Sequence, residues 1–470
     1  MFWISIDRSL DTSLIRQVYE QIRIRILHGE LQKGERLPST RELSSSLQIS
    51  RNVIIEAYEQ LVAEGYIVGQ QGSGMYVAEG AYLGQQQKEE YLSFFETNNL
   101  PEEKNIEMID FRSGIPALNL FPRKTWGQMA KQVYIETSHS IFGYDHPEGR
   151  IELRHVLSRY LKRTRGVHCH PDQLVVTTGA TQALYLVAHL LLSPNDEVIL
   201  EDPITHEIQK IFKSRGSSLY PIPVDEFGMK TSLLPSDKKP SFIFVTPSHQ
   251  FPIGGILPIQ RRIQLIQFAR KTNCYIVEDD YDSEFRYQGT PVSSLQGLDP
   301  DRVIYIGTFS KILSPALRLG YLILPPSLIN RCKDLRWFMD LHTPSPEQIT
   351  LARFIDDRHL EHHIRKMKKV YKGRRDHLKA CLKNNFRDNI RILGDSTGLH
   401  LVAEFKNVNF SKQMLAKIEK KQVKVYPVEL HTMKKGCHQS KIILGYGNLT
   451  KGEIEEGVLR LKDVLATKIL

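Results

Sequence analysis

The run Val303-Ile304-Tyr305-Ile306-Gly307-Thr308-Phe309-Ser310-Lys311 limits what this chain can become more than any other stretch. Its first half is β-branched and aromatic, the composition of a buried strand. It then breaks into small polar residues and a lysine, with Arg318 seven positions on and a second strand-like run, Leu319–Leu324. A lysine held between two apolar runs is partly desolvated, which favours its neutral amine. A neutral amine can form a Schiff base with an aldehyde. A lysine that snorkels to the surface fits this stretch equally well. The tie is broken upstream, where the strand Cys274-Tyr275-Ile276-Val277 ends in Glu278-Asp279-Asp280-Tyr281. Open α/β sheets place ligands at the carboxyl ends of their strands. Pyridoxal 5'-phosphate needs an amine for its aldehyde, a carboxylate for its ring nitrogen and donors for its phosphate. Lys311, Asp279 and Arg318 supply one of each.

Around this stretch strands and helices alternate. Strands are expected at Leu174–Thr178, Val198–Leu200 and Phe242–Val245, and helices near 152–163, 183–192, 207–214 and 261–271. That order implies a mostly parallel, doubly wound sheet. Gly179-Ala180-Thr181-Gln182 links a strand to a helix, and the free N–H groups of such a turn attract an anion. Past residue 345 the pattern changes to a smaller α+β part, with strands at 398–403, 423–426 and 441–444. Ile364–Lys383 carries nine Lys/Arg against one acid, Asp376. It reads as a solvated helix face or as a platform for DNA backbone.

The first eighty residues read differently. Leu14, Ile15, Val18, Ile22 and Ile26 follow helical spacing, stopped by Gly29. Ser39 and Glu42 are placed as a capping box before a short helix with Leu43 and Leu47 inward. Ser50 is a second N-cap, before a helix over 51–64 whose inner face is expected at Val53, Ala57 and Leu61. Two short helices and a tight turn make a helix-turn-helix. Tyr66–Val68 and Met75–Val77 flank a Gly-rich tip and make a wing. The second helix of such a unit starts in the major groove. Arg51 and Asn52 stand there, and both types pair bidentately with base edges. Arg36 and Arg41 suit phosphates, and Gly72 and Gly74 let the wing approach the backbone closely. The expected partner is double-stranded DNA, with a winged helix used for protein contact as the other reading.

Charge does not decide between these. The net charge is +10, yet residues 1–80 hold eight Lys/Arg against ten Asp/Glu. Residues 81–108 are polar and acidic, a tether by composition, interrupted by Tyr91–Phe95, which could dock as a helix. Five scattered cysteines without a CxxC pair point to reduced thiols in a cytoplasm and away from a zinc site. No run is long and apolar enough for a membrane span, and no secretory signal is expected.

Residues from about 110 onward resemble fold-type-I, aspartate-aminotransferase-like proteins, and the front resembles a GntR-type winged helix. Together they resemble the MocR class of bacterial regulators. The resemblance rests on Leu37–Leu43, Thr246–Pro252, Glu278–Phe285 and Gly307–Lys311. It implies a winged helix (1–80), a linker (81–108) and an aminotransferase-like effector and dimerisation domain (109–470). Within that domain the large part spans about 140–345, and the small part about 346–470 with a 109–139 arm. It implies a homodimer in which Tyr144 reaches the neighbour's phosphate. Lys311 would carry the cofactor, Asp279 keep its ring nitrogen protonated and Tyr281 hold its hydroxyl. Thr308, Ser310, Arg318 and Gly179–Thr181 would hold its phosphate.

Three departures matter. Where relatives stack a tyrosine on the ring, this chain has Thr205 followed by His206, so either His206 stacks instead or the ring is held less firmly. Where aminotransferases place an asparagine before a proline, it has Phe251. It also has no arginine between Arg391 and Arg460 to clamp a substrate carboxylate, and lysines do not replace that fork. A regulator binding operator half-sites and sensing a small amine or amino-acid-type effector is therefore expected. A working aminotransferase with a fused DNA-binding module is the alternative.

Overall fold

Ser13, Ser39 and Ser50 each stand one residue before a helical pattern, and each side chain accepts a hydrogen bond from a backbone N–H of the first turn. The helices are α1 (Leu14–Leu27), α2 (Thr40–Leu47) and α3 (Arg51–Ala63). At α2 the capping box is complete: Glu42 N–H donates to Ser39 Oγ at 3.2 Å and Ser39 N–H to Glu42 Oε2 at 2.8 Å. Gln48, left-handed at φ 52°, turns the chain from α2 toward α3. The α3 core face runs through Ile54, Ala57, Tyr58 and Leu61. The expected Val53 is only partly buried, because the helix presents its neighbour Ile54 fully to Val18 and Ile22 of α1. Strands β1 (Ile67–Gln70) and β2 (Gly74–Val77) pair antiparallel, Ile67 opposite Val77, as the wing.

The computed structural model describes residues 4–70, 72–83 and 108–469. The chain divides into two units, 1–105 and 106–470. The tether and its Tyr91–Phe95 segment lie outside the described residues, apart from 81–83 and 108.

The second unit begins with a two-residue strand, β3 (Ile109–Asp110). Its main sheet has eight strands: β4 (Leu174–Thr177), β5 (Glu197–Asp202), β6 (Ser218–Asp225), β7 (Gly228–Met229), β8 (Phe242–Val245), β9 (Tyr275–Asp280), β10 (Val303–Thr308) and β11 (Gly320–Ile323). Their order is β4-β11-β10-β9-β8-β5-β6-β7. β6, β5, β8, β9 and β10 run parallel, whereas β11 is antiparallel to both its neighbours. Central strands are buried on both faces, so they read as continuous apolar runs. The helix Ala180–Leu191 covers one face beside His206–Lys213, and Ile259–Thr272 packs on the other.

A four-stranded sheet, β12 (Ile390–Leu393), β13 (His400–Phe405), β16 (Lys441–Gly445) and β15 (Tyr426–Pro427), forms the smaller part. The expected strand over 423–426 is in fact two. β14 (Val423–Lys424) leaves that sheet and pairs parallel with β3, Val423 opposite Ile109, while β15 pairs with β16. Ile109, Phe111 and Ala117 thereby join the small-part core. The helix 123–136 of the same arm instead sends Met129 into the cluster around 151–165. The basic run lies on one helix, His359–Phe386, which buries Arg374 and Arg375 and exposes Arg365, Lys366, Lys369, Lys372 and Lys383.

Candidate functional site

Strand periodicity sorts the three acids at the end of β9. Glu278 accepts from the backbone N–H groups of Leu295 and Gln296. Asp280 is held by the Arg165 guanidinium and the Tyr305 hydroxyl. Between them Asp279 points the other way, into a cavity of about 610 Å3 at the carboxyl ends of the strands. It is 8% exposed, and its buried Oδ1 has no hydrogen-bond partner. Burial first, and Asp280 second, push its carboxyl up to about 7, against the pull of Lys311.

Lys311 lines the same cavity, three residues past β10. Burial pulls its amine below the ordinary lysine value, although Asp282 and Asp279 oppose this. Gly114 (φ 74°) lies against it, and a Cβ there would come within 2.7 Å of Lys311 Nζ. Thr308, Ser310, Ala180, Thr181 and Arg318 complete this wall. Ser310 N–H donates to Thr308 Oγ1 at 3.2 Å. Gly179, the residue before the helix Ala180–Leu191, holds φ 100°; a Cβ there would meet the Arg318 guanidinium at 3.1 Å. The first turn of that helix and the Arg318 fork thus share one cradle, suited to an anion.

Tyr281 lines the cavity too. Its hydroxyl donates to the His249 carbonyl at 2.8 Å and lies 3.1 Å from His249 Nδ1. His249 Nδ1 also sits 2.9 and 3.0 Å from the two Asp282 oxygens. Gly398 makes room for this pair, since a Cβ there would stand 2.2 Å from His249 Cε1. Phe251 meets Tyr281 edge-on at 6.4 Å. Single-sequence reading quoted His249 within a motif and missed its role.

Two expected residues lie outside this wall. His206 is exposed at the first position of its helix and does not line the cavity; Thr205, whose hydroxyl caps that helix, does. Helix geometry decides this, because the cap residue is turned toward the strand ends. Tyr144 is 86% exposed, edge-on to His342, and away from the cavity of its own chain. The mouth holds cations that sequence reading passed over: Arg112 and Lys424 line it beside Tyr426, His400 and His431. Of the lysines between Arg391 and Arg460, Lys441 pairs with Glu404 and Lys435 donates to the Glu429 carbonyl.

In the first unit Arg36, Arg41, Arg51 and Asn52 are exposed. Arg51 Nε donates to Thr40 Oγ1 at 3.2 Å, tying α3 to the start of α2. Ser39 and Ser50 are occupied as caps. Arg36 bridges to Tyr76 of the wing, and its guanidinium lies beside Gly74 (φ 121°); Gly72 is at φ 78°. Among the described residues no helix is long and apolar enough to cross a membrane.

Comparison with known proteins agrees with both halves. Residues 14–77 match the bacterial regulatory proteins of the gntR family, and residues 106–461 match aminotransferase class I and II. The HTH-type transcriptional regulator YdeL of Bacillus subtilis is 34% identical over 97% of this chain and 98% of its own. The probable rhizopine catabolism regulatory protein MocR of Rhizobium meliloti is 32% identical over 97% and 94%. Among solved structures, the α-aminoadipate aminotransferase LysN of Thermus thermophilus, complexed with N-(5'-phosphopyridoxyl)-L-leucine, superposes with a TM-score of 0.71 at 25% identity, over 77% of this chain and 93% of that one. The chain belongs to the HTH-type transcriptional regulators that join a GntR-family DNA-binding domain to an aminotransferase class I and II domain.

Proposed function

We propose that this regulator holds pyridoxal phosphate in the cavity beneath Asp279 and Lys311 and uses it to sense an amine. One observation carries the reading: an unpaired buried carboxylate, a desolvated lysine and an anion cradle converge on a single cavity. Bound there, the cofactor supplies an aldehyde that condenses with amines. Asp279 would meet the ring nitrogen, and a cationic N–H opposite it would favour its carboxylate form. Tyr281, kept protonated by burial with Asp282 and Asp279 beside it, would turn its single O–H from the His249 carbonyl to the ring oxygen. Arg318, Thr308, Ser310 and the first turn at Gly179–Thr181 hold the phosphate. Lys311 contributes its amine, and an incoming effector amine competes with it for the aldehyde. A Lys311 amine freed there would stand in a partly desolvated cleft, and states of the small part that bind effector differently would be repopulated.

The regulator works as a homodimer on operator half-sites. Phe338 (87% exposed), Trp337, Met339 and Tyr144 form apolar surface that a second copy would bury, and Tyr144 completes the neighbour's phosphate site. Arg51 and Asn52 read bases from the start of α3.

The test combines a spectrum and a titration. Full-length protein purified with pyridoxal phosphate is expected to show a visible band that amines shift. Arg51→Ala is expected to cost about 1–3 kcal/mol of operator affinity in a gel shift. A colourless protein, or steady-state turnover with an amino donor and a keto acid, overturns the sensor reading.

A further inference from the structure

Near the mouth of the cavity two strand-like segments run side by side. Phe111 N–H donates to the Lys424 carbonyl at 3.0 Å, continuing the β3–β14 pair past its last residue. Both segments alternate. Ile109, Phe111, Val423 and Val425 are buried in the small-part core. Residues at a spacing of two share the opposite face, which carries Asp110 and Arg112 on one segment and Lys424 and Tyr426 on the other. Arg112, Lys424 and Tyr426 line the cavity.

Two cations and one acid could have neutralised each other here, and they do not. Asp110 accepts from the Tyr426 hydroxyl at 3.0 and 3.2 Å. The Lys424 ammonium lies 5.9 Å from the Tyr426 ring centre. Among the described residues, neither Arg112 nor Lys424 has a carboxylate within ion-pair distance. Arg112 is close enough to Lys311 to disfavour its charged form, so both ends of the cavity sit in one field. The chain runs from Arg112 to Gly114, the residue lying against the Lys311 amine. Two cations left without counter-charges, on a rigid strand pair, facing a cavity whose floor takes an amine, describe half of a recognition site.

We infer that Arg112 and Lys424 form an anion subsite, so that the effector is an amine carrying a carboxylate or a comparable anion at its far end. This rests on the proposed sensor function and narrows its ligand class. The Arg112 fork takes two oxygens and Lys424 supplies a point charge. Together they do from the arm and β14 what an arginine between 391 and 460 would have done from the small part.

The test titrates full-length, pyridoxal-phosphate-loaded protein with ω-amino carboxylates of increasing length and with n-alkylamines of matching length, following the visible band. At one length the carboxylate is expected to bind about tenfold tighter than its alkylamine, the equivalent of one good charge-assisted contact. In Arg112→Gln/Lys424→Gln that ratio falls to about one. In Arg112→Glu the preference is expected to move to the diamine of the same length, so the inference does not hang on a single variant. A ratio near one throughout the wild-type series, or a full ratio in the double variant, overturns it. Calorimetry on cofactor-free protein separates the two levels. Carboxylate binding that disappears in Arg112→Gln, in a protein that takes up no cofactor, keeps the anion subsite and overturns the cofactor reading. Loading without any carboxylate preference does the reverse.

Discussion

The two ends of the cavity were built by different means. The cofactor end is made by strand termini and one helix start within the main sheet: Asp279 on β9, Thr308 on β10, and Gly179 after β4. The mouth is made by segments far apart in sequence, with Arg112 from the arm and Lys424 and Tyr426 from beyond residue 420. One end is fixed by a packed eight-stranded sheet and the other by the short β3–β14 pairing beside the edge strand β15. Short pairings can be rewritten without disturbing the sheet, so under the proposed function the ligand-facing end is the one free to change while the other is kept.

The difference can be tested from both sides. Lys311→Ala is expected to have the largest effect: complete loss of the lysine-linked visible band, and a reporter that no longer responds to effector while the protein still folds. A normally responding variant would move the signal away from this lysine. Asp279→Ala is next. Losing one charge-assisted partner of the ring nitrogen corresponds to about 1.5–3 kcal/mol, or roughly ten- to a hundredfold in cofactor affinity by equilibrium dialysis. Gly179→Ala is smaller. An alanine at φ 100°, ψ 174° costs about 1–3 kcal/mol and crowds Arg318, so loading is expected to weaken roughly tenfold; unchanged loading would free the cradle from that turn.

The smallest effect is on stability, and it has opposite signs at two buried groups of the cavity wall. His400, packed against His249 and Phe251, is pushed down to about 3 by burial first and by His249 second. Its stabilising contribution is present above pH 6.5 and is lost as pH falls toward 3, because the unfolded chain takes the proton first. At pH 5.5 this amounts to about 1 kcal/mol, and His400→Gln is expected to flatten the melting-temperature loss between pH 7.5 and 5.5. Asp279, with its carboxyl raised to about 7 in the cofactor-free protein, contributes stability below pH 3.8 that is lost as pH rises through 7. Asp279→Asn is therefore expected to raise the melting temperature at pH 8. Parallel slopes for the two variants would erase the contrast.

Much of the cofactor end was legible in sequence, because its residues lie where continuous apolar runs stop. The helix-turn-helix was legible through Ser39, Glu42 and Ser50, whose capping chemistry is local. β6 was not: Ser218–Asp225 holds Pro221 and Pro223, which remove ladder donors and disguise a strand near a sheet edge. The mouth was hidden for another reason. Arg112 and Lys424 are brought together by a pairing across more than three hundred residues, which no local pattern encodes. The available signal was the alternation in Ile109-Asp110-Phe111-Arg112 and Val423-Lys424-Val425-Tyr426, each too short to stand out alone.

The β3 strand has one more consequence. Met108 is the first described residue of the second unit, next to Ile109, and Arg112 follows three residues after that. Phe111, with no exposed surface, bolts this point to the small-part core. The arginine and this entry segment are therefore fastened to the same post, so whatever displaces one displaces the other on the small-part side, without crossing the eight-stranded sheet.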